Sequence, residues 1–184
     1  IFGTDSFQLA ADRLISLLAK YRDVYGKELP ELDLGGGYGI AYLPGDETLE
    51  PGEVMPALRK AVTASCEKHK LNIPIISIEP GRAIVGPTTF TLYEVGTTKD
   101  VVLEDGKTRR YISVDGGMSD NIRPSLYDAE YHAVIAHRAS TASSVNSRVV
   151  GKHCETGDIV IREINLPSDI APGDLIAIPA TGAY

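Results

Sequence analysis

The sequence predicts an α/β part followed by an all-β part, and three observations lead there. Up to about residue 84, strand-like and helix-like segments alternate in the rhythm of parallel βα units. Beyond that point, strand-like segments follow one another with no helix of comparable quality. Two early strands run straight into "GGG" and "PGR" loops, as strands of a (β/α) barrel do at the face that carries a phosphate site. The boundary falls within 84–88, giving an α/β region over 1–86 and a β region over 87–184.

Each element has a local reason. Residues 5–25, "DSFQLAADRLISLLAKYRDVY", set Phe7, Ala11, Leu14, Ile15, Leu18 and Tyr25 at helical spacing, and Gly26 supplies the stop. "ELDLGGGYG" is a short buried strand entering a glycine-rich loop. A second helix over about 53–70 places Val54, Leu58, Ala61, Val62 and Cys66 on one face. Cys66 therefore reads as a packing thiol, and His69 as a favourable partner for the helix dipole. "IPIISIEPGR" is the next apolar strand, ending in a tight turn. The later strands are "TFTLYEVGTT", "RRYISVDGG", "YHAVIAHR", "DIVIREI" and "DLIAIPATG", while "ASTASSVNS" (139–147) reads as a polar loop. There is no internal repeat.

Composition narrows the function classes. With 184 residues, 43% hydrophobic and 23% charged, the chain has ordinary globular content. The net charge of −7 is spread without a lysine or arginine block, which argues against nucleic-acid binding. No apolar run approaches the roughly 18 residues of a membrane-spanning helix. Cys66 and Cys154 are too few for a disulfide framework, so a cytoplasmic protein is expected. "IFGTDSFQ" has neither an initiator methionine nor a signal-peptide pattern, and the chain ends at "PATGAY" just after a strand-like run. A fragment of a longer chain is expected.

Several groups of residues can carry chemistry. Gly35, Gly36, Gly37 and Gly39 directly follow a strand, where backbone N–H groups can turn toward an anion, or simply make a tight turn. The dinucleotide fingerprint is excluded, because position 40 is Ile40. "GKT" at 106–108 is no P-loop, because the upstream glycine is replaced by Val101. "EPGR", Glu79 to Arg82, ends the next strand and pairs naturally with the glycine loop. "DGGMSDNIRPSLYDAEYH" (115–132) brings Arg123 and Tyr127 together as either a carboxylate clamp or a surface ion pair. His132 and His137 would face opposite ways in a strand, and so would His153 and Cys154; no metal site is expected.

Taken in order, "LDLGGGYGIAY", "EPGR", "VDGGMSDNIRPSLY", "HCETGD" and "ATGAY" resemble the diaminopimelate decarboxylase family, pyridoxal-phosphate enzymes of the alanine-racemase-like barrel group. The resemblance spans nearly the whole chain. It implies the C-terminal part of a pyridoxal 5'-phosphate-binding (β/α)8 TIM barrel over 1–86. An incomplete β-sandwich or β-barrel-like domain would follow over 87–184. It implies that Gly37, Glu79, Pro80, Gly81 and Arg82 contact the cofactor, with Glu79 at the pyridine nitrogen. Arg82, Arg123 and Tyr127 match positions that bind substrate carboxylate, and Glu155 matches the residue that meets the distal ammonium. Tyr184 matches a tyrosine touching both cofactor and substrate. Cys154 matches a proton donor that reaches the site of the partner subunit, so a homodimer is implied.

The resemblance is incomplete in two respects. No residue here matches the lysine that binds the cofactor covalently or the histidine that stacks on its ring, and Lys152 and His153 have no assigned role. The expected reaction is decarboxylation of meso-diaminopimelate to L-lysine and CO2. Related ornithine or arginine decarboxylases share the glycine loop, "EPGR" and the cysteine, but their substrates end in a cation alone. Arg82, Arg123 and Tyr127 beside Glu155 answer a distal carboxylate and a distal ammonium together. A non-catalytic relative and a cysteine–histidine hydrolase are the readings from other classes. The first predicts decay of the Cys154–Glu155 pair, and the second needs an oriented imidazole.

Overall fold

In the computed structural model, which describes residues 5–48 and 50–184, the chain divides into two units. One comprises Ile1–Ile40 with Glu47–Ile84, the other Ala41–Asp46 with Val85–Tyr184. The opening "IFGT", read above for its missing methionine, lies outside the described residues.

The first unit is a strand–helix–strand segment with a helix before it. Helix α1 (Asp5–Tyr25) and helix α2 (Pro51–His69) cover strands β1 (Glu31–Gly36) and β2 (Ile75–Glu79), which pair in parallel. Its core is Phe7, Ala11, Ile15, Leu32, Leu34, Val54, Leu58, Val62 and Cys66. Burial of each large aliphatic side chain here contributes about 1.5–3 kcal/mol. The predicted faces hold with two changes. Tyr25 is exposed on the last turn of α1, and Ser65 joins the buried face of α2 because its hydroxyl donates to Asp12. Cys66 is buried as expected, which pushes its thiol pKa up. A short helix, α3 (Gly81–Val85), begins directly after β2.

The second unit is a six-stranded mixed sheet. Strands β3 (Phe90–Val102), β4 (Thr108–Val114), β5 (Val134–Ile135), β6 (Ser144–Val150), β7 (Ile159–Pro167) and β8 (Leu175–Pro179) lie in the order β5-β8-β3-β4-β6-β7. Only the β4–β6 pair is parallel. β3 is long enough to belong to two neighbourhoods: Phe90–Glu94 pair with β8, and Thr98–Val102 pair with β4. The register with β4 shifts between Val95 and Thr98, a stretch that holds Gly96, where an added Cβ would stand 3.1 Å from Ser113 Oγ. The core under this sheet is Tyr93, Val95, Ile112, Val114, Val149, Val160, Ile176 and Ile178, with Tyr131.

Two readings of this half need correction. The stretch 139–147 is not wholly a loop, because β6 begins at Ser144 and pairs on both sides, with β4 and β7. The long strand expected at "YHAVIAHR" shrinks to Val134–Ile135, so the two flanking histidines are not strand residues. His137 instead accepts the Leu175 N–H on Nδ1 at 3.2 Å, with Nε2 3.3 Å from Asp174.

Candidate active site

The parallel pairing of β1 and β2 brings their two following loops to the same edge of the first unit. Gly36 lies opposite Glu79, so close that an added Cβ would overlap the Glu79 carbonyl oxygen. Gly35 and Gly37 flank it at φ of 72° and 87°, a conformation that glycine adopts without Cβ penalty. Asp33 Oδ1 accepts the Gly35 N–H at 2.7 Å and holds the turn. From α3, the Arg82 guanidinium reaches back to this loop. Its Nε donates to the Tyr38 carbonyl and its Nη2 to the Gly37 carbonyl, both at 3.2 Å. Tyr38 is itself buried, stacked on Phe7 with ring centroids 4.7 Å apart. Burial, then the nearby Asp33, raises its phenol pKa. Glu79 and Gly81 are exposed beside this edge, and Pro80 accepts the Ile84 N–H at 3.0 Å. The glycine loop and the "EPGR" turn thus form one braced, Cβ-poor edge carrying an arginine and a carboxylate. Of these two groups the Arg82 guanidinium is the donor, and it suits an anionic group such as a phosphate, whereas the Glu79 carboxylate can only accept.

In the second unit, the chain after β4 makes a glycine turn at 116–117 and enters helix α4 (Arg123–Tyr127). Arg123 is only 9% exposed, so it is not the surface ion pair that its sequence context allowed. Its Nη1 donates to the Tyr131 hydroxyl at 2.9 Å, and its guanidinium carbon lies 4.1 Å from the Tyr42 ring centroid. The two rings meet edge to face at 5.5 Å. Burial raises the Tyr131 pKa, and the Arg123 hydrogen bond opposes that shift. Tyr127, at the other end of α4, is exposed.

Cys154 and Glu155 sit exposed on the turn between β6 and β7. Helix α4 and this turn are tied directly, since Ser125 Oγ donates to the Gly157 carbonyl at 2.6 Å. Arg123 and Tyr127 are therefore on an element attached to the one that carries Cys154 and Glu155. Tyr184 is exposed, at φ 75°.

Three contributors escaped the sequence reading. Tyr42 and Tyr131 form the aromatic seat of Arg123, but they are 89 residues apart in the chain and no spacing rule links them. Asp158 is buried at 3% exposure, with one carboxylate oxygen on each of two loops. The paired glycines of "DGG" were its one visible signal.

The first unit thus carries a glycine–arginine edge on parallel strands, and the second a mixed sheet presenting a thiol beside a carboxylate. The chain belongs to the pyridoxal-dependent decarboxylases: residues 56–182 match their C-terminal sheet domain, and residues 1–86 match their pyridoxal binding domain. It is 54% identical over 184 residues to the diaminopimelate decarboxylase of Corynebacterium efficiens, covering 100% of this chain and 40% of that protein. To the diaminopimelate decarboxylase of Bacillus subtilis it is 44% identical, covering 100% of this chain and 41% of that one. Among solved structures, it resembles diaminopimelate decarboxylase from Helicobacter pylori complexed with L-lysine. That match has a TM-score of 0.81 and 29% identity, over 100% of this chain and 42% of that chain. The chain thus spans about two fifths of the length of the curated relatives it matches. No helix among the described residues is long and apolar enough to cross a membrane.

Proposed function

We propose that this chain is part of a diaminopimelate decarboxylase, which converts meso-2,6-diaminopimelate to L-lysine and CO2, the last step of lysine biosynthesis. One observation carries the reading: helix α4, with Arg123 and Tyr127, is hydrogen-bonded to the turn bearing Cys154 and Glu155. That attachment ties groups suited to a carboxylate in this chain's own site to a turn whose ammonium-binding and proton-donating groups complete the partner's.

In this reading residues 1–86 are the C-terminal part of the barrel and 87–184 belong to the sheet domain. Pyridoxal 5'-phosphate, when bound, supplies the electron sink for loss of CO2. Gly37 and residues Glu79, Pro80, Gly81 and Arg82 would hold it, with the Glu79 carboxylate keeping the pyridine nitrogen protonated. Arg82, Arg123 and Tyr127 bind substrate carboxylate, Glu155 meets the distal ammonium, and Tyr184 touches cofactor and substrate. The Cys154 thiol delivers a proton to the substrate Cα from one face. Cys154 and Glu155 serve the partner's site, so the working form is a homodimer. A cytoplasmic location is in keeping with two unpaired thiols.

An ornithine- or arginine-type decarboxylase is the second reading, since it shares the glycine loop and the cysteine. Assay of the full-length protein, loaded with cofactor, separates the two. Lysine should appear from meso-diaminopimelate, with CO2 release from ornithine and arginine at background. Comparable turnover of either of those two substrates would overturn the assignment.

A further inference from the structure

The buried Asp158 has no ion-pair partner among the described residues, although burying a carboxylate is costly unless strong donors replace water. Its donors are backbone N–H groups from two different loops. Oδ1 accepts from Met118 N at 2.6 Å, in the loop that leads to Arg123. Oδ2 accepts from His153 N at 2.7 Å, the residue before Cys154. The seat is cut to this side chain, because an added Cβ at either Gly117 or Gly151 would overlap the carboxylate. Around it the loops are bolted together again. Lys152 N donates to the Gly116 carbonyl at 2.9 Å, and Gly151 N donates to the Asp158 carbonyl at 2.9 Å. On the surface, Ser119 Oγ lies 2.8 Å from His153 Nε2.

We propose that Asp158 is a positioning residue: it latches the Cys154–Glu155 turn to the loop preceding Arg123, fixing where the thiol and carboxylate are presented. Asp158 itself touches no reacting atom. This rests on the decarboxylase reading for its meaning in catalysis, but the latch is a property of the loops and can be tested separately. A carboxylate is the side chain suited to this place, since each oxygen faces a donor. An amide would turn an NH2 group toward one of those N–H groups. Misplacement of a catalytic group by about 1 Å can cost on the order of 100-fold in rate.

The test uses the full-length holoprotein and three readouts. In the unaltered protein, the amides of Met118 and His153 should exchange slowly with solvent; rapid exchange of both would overturn the latch without any mutation. In Asp158→Asn, iodoacetamide alkylation of Cys154, followed across pH 6–9 by peptide mass spectrometry (an experimental range of roughly three units, bracketing an ordinary thiol), should be altered at least about fivefold or shift its pH profile. The buried Cys66 serves as internal control. Turnover should fall about 10- to 100-fold while cofactor affinity stays within about twofold. Should that variant not fold, Gly151→Ala displaces the carboxylate by its added Cβ and is expected to give the same pattern. Variants that only lose thermal stability, with alkylation profile and turnover unchanged, would make Asp158 a structural residue and end the proposal. An inactive unaltered protein with the alkylation change intact would instead remove the decarboxylase reading and leave the latch standing.

Discussion

Arg82 is hydrogen-bonded to the carbonyl of Gly37, so the arginine of "EPGR" braces the glycine loop of the preceding strand. Together with its bond to Tyr38, it uses two guanidinium N–H groups on backbone carbonyls and leaves others to meet an anion. Replacing Arg82 with Ala in the full-length protein should loosen the loop as well as remove a charge. Hydrogen bonds of charged groups contribute about 1.5–3 kcal/mol. Because these are partly exposed, the expected loss is on the order of 10-fold in pyridoxal 5'-phosphate affinity, read by absorbance titration. Unchanged affinity would confine Arg82 to substrate.

Gly36 offers a sharper test of the same edge. An alanine methyl there must push against the Glu79 carbonyl, a backbone atom that cannot swing away. Overpacking of this kind costs about 1–3 kcal/mol. Gly36→Ala should lower the melting temperature and weaken cofactor binding together. Gly35→Ala meets no neighbouring atom within 4 Å and suffers only from its φ of 72°. It should destabilise with less effect on the cofactor. Equal effects of the two substitutions on cofactor binding would show that the close approach to Glu79 is unimportant.

Much of this edge was legible beforehand because it is local. Glycines after an apolar strand and "EPGR" after the next are read within a few residues, and parallel pairing then sets them side by side. The helix faces were legible for the same reason, since Ile15 and Val62 follow helical spacing into the core. β6 was not legible. Ser144, Asn146 and Ser147 are poor strand formers, yet pairing with β7 throughout, and with β4 from Ser147 on, overrides propensity. Ser147 is buried with its hydroxyl satisfied by the Val145 carbonyl. Asp158 was hidden differently: "TGD" looks like a solvated turn, and nothing local reveals that its acceptors serve Met118, forty residues earlier.

Arg123 has a packed seat, and the binding role proposed for it can be tested apart from that seat. Arg123→Ala should raise KM for diaminopimelate about 10- to 100-fold, the scale of a lost charge-assisted hydrogen bond, and leave the cofactor absorbance unaltered. It should also lower stability, because Tyr42 and Tyr131 lose the cation between them. Lysine cannot reproduce the planar fork or its stacking, so Arg123→Lys should restore little. Unaltered substrate affinity in the alanine variant would reduce Arg123 to a packing residue.

The Arg138–Asp174 pair gives a pH prediction. Arg138 Nη2 donates to Asp174 Oδ2 at 2.6 Å and Nε donates to Oδ1 at 3.0 Å. The Ala171 N–H adds a third bond at 3.0 Å. The Arg138 guanidinium, above all, holds the Asp174 carboxyl below its ordinary value. A depressed folded-state pKa adds stability above the unfolded value, near pH 3.9, and loses it as pH falls through the folded one. Asp174→Asn should therefore melt lower than the unaltered protein at pH 7, with the gap narrowing below about pH 4. Thermal melts at both pH values check this, and a gap independent of pH would mean that the carboxylate charge is not what stabilises the pair.

Cys154 leads to the question of which chain it serves. Its turn is exposed, and Glu155 beside it is exposed too. If both reach the partner, activity requires a dimer, and two different inactive full-length variants should complement each other. One is Cys154→Ala; the other lacks the cofactor-binding lysine that the family resemblance implies and that no residue of this sequence matches. Under subunit exchange, a heterodimer carries one site with both defects and one with neither. Recovery of up to about half the activity per dimer is expected, because one of two equivalent sites is whole. The control is exchange itself, followed by mass spectrometry of differently tagged subunits. With exchange confirmed and no activity regained, Cys154 would act within its own chain, and the shared-site arrangement would fall.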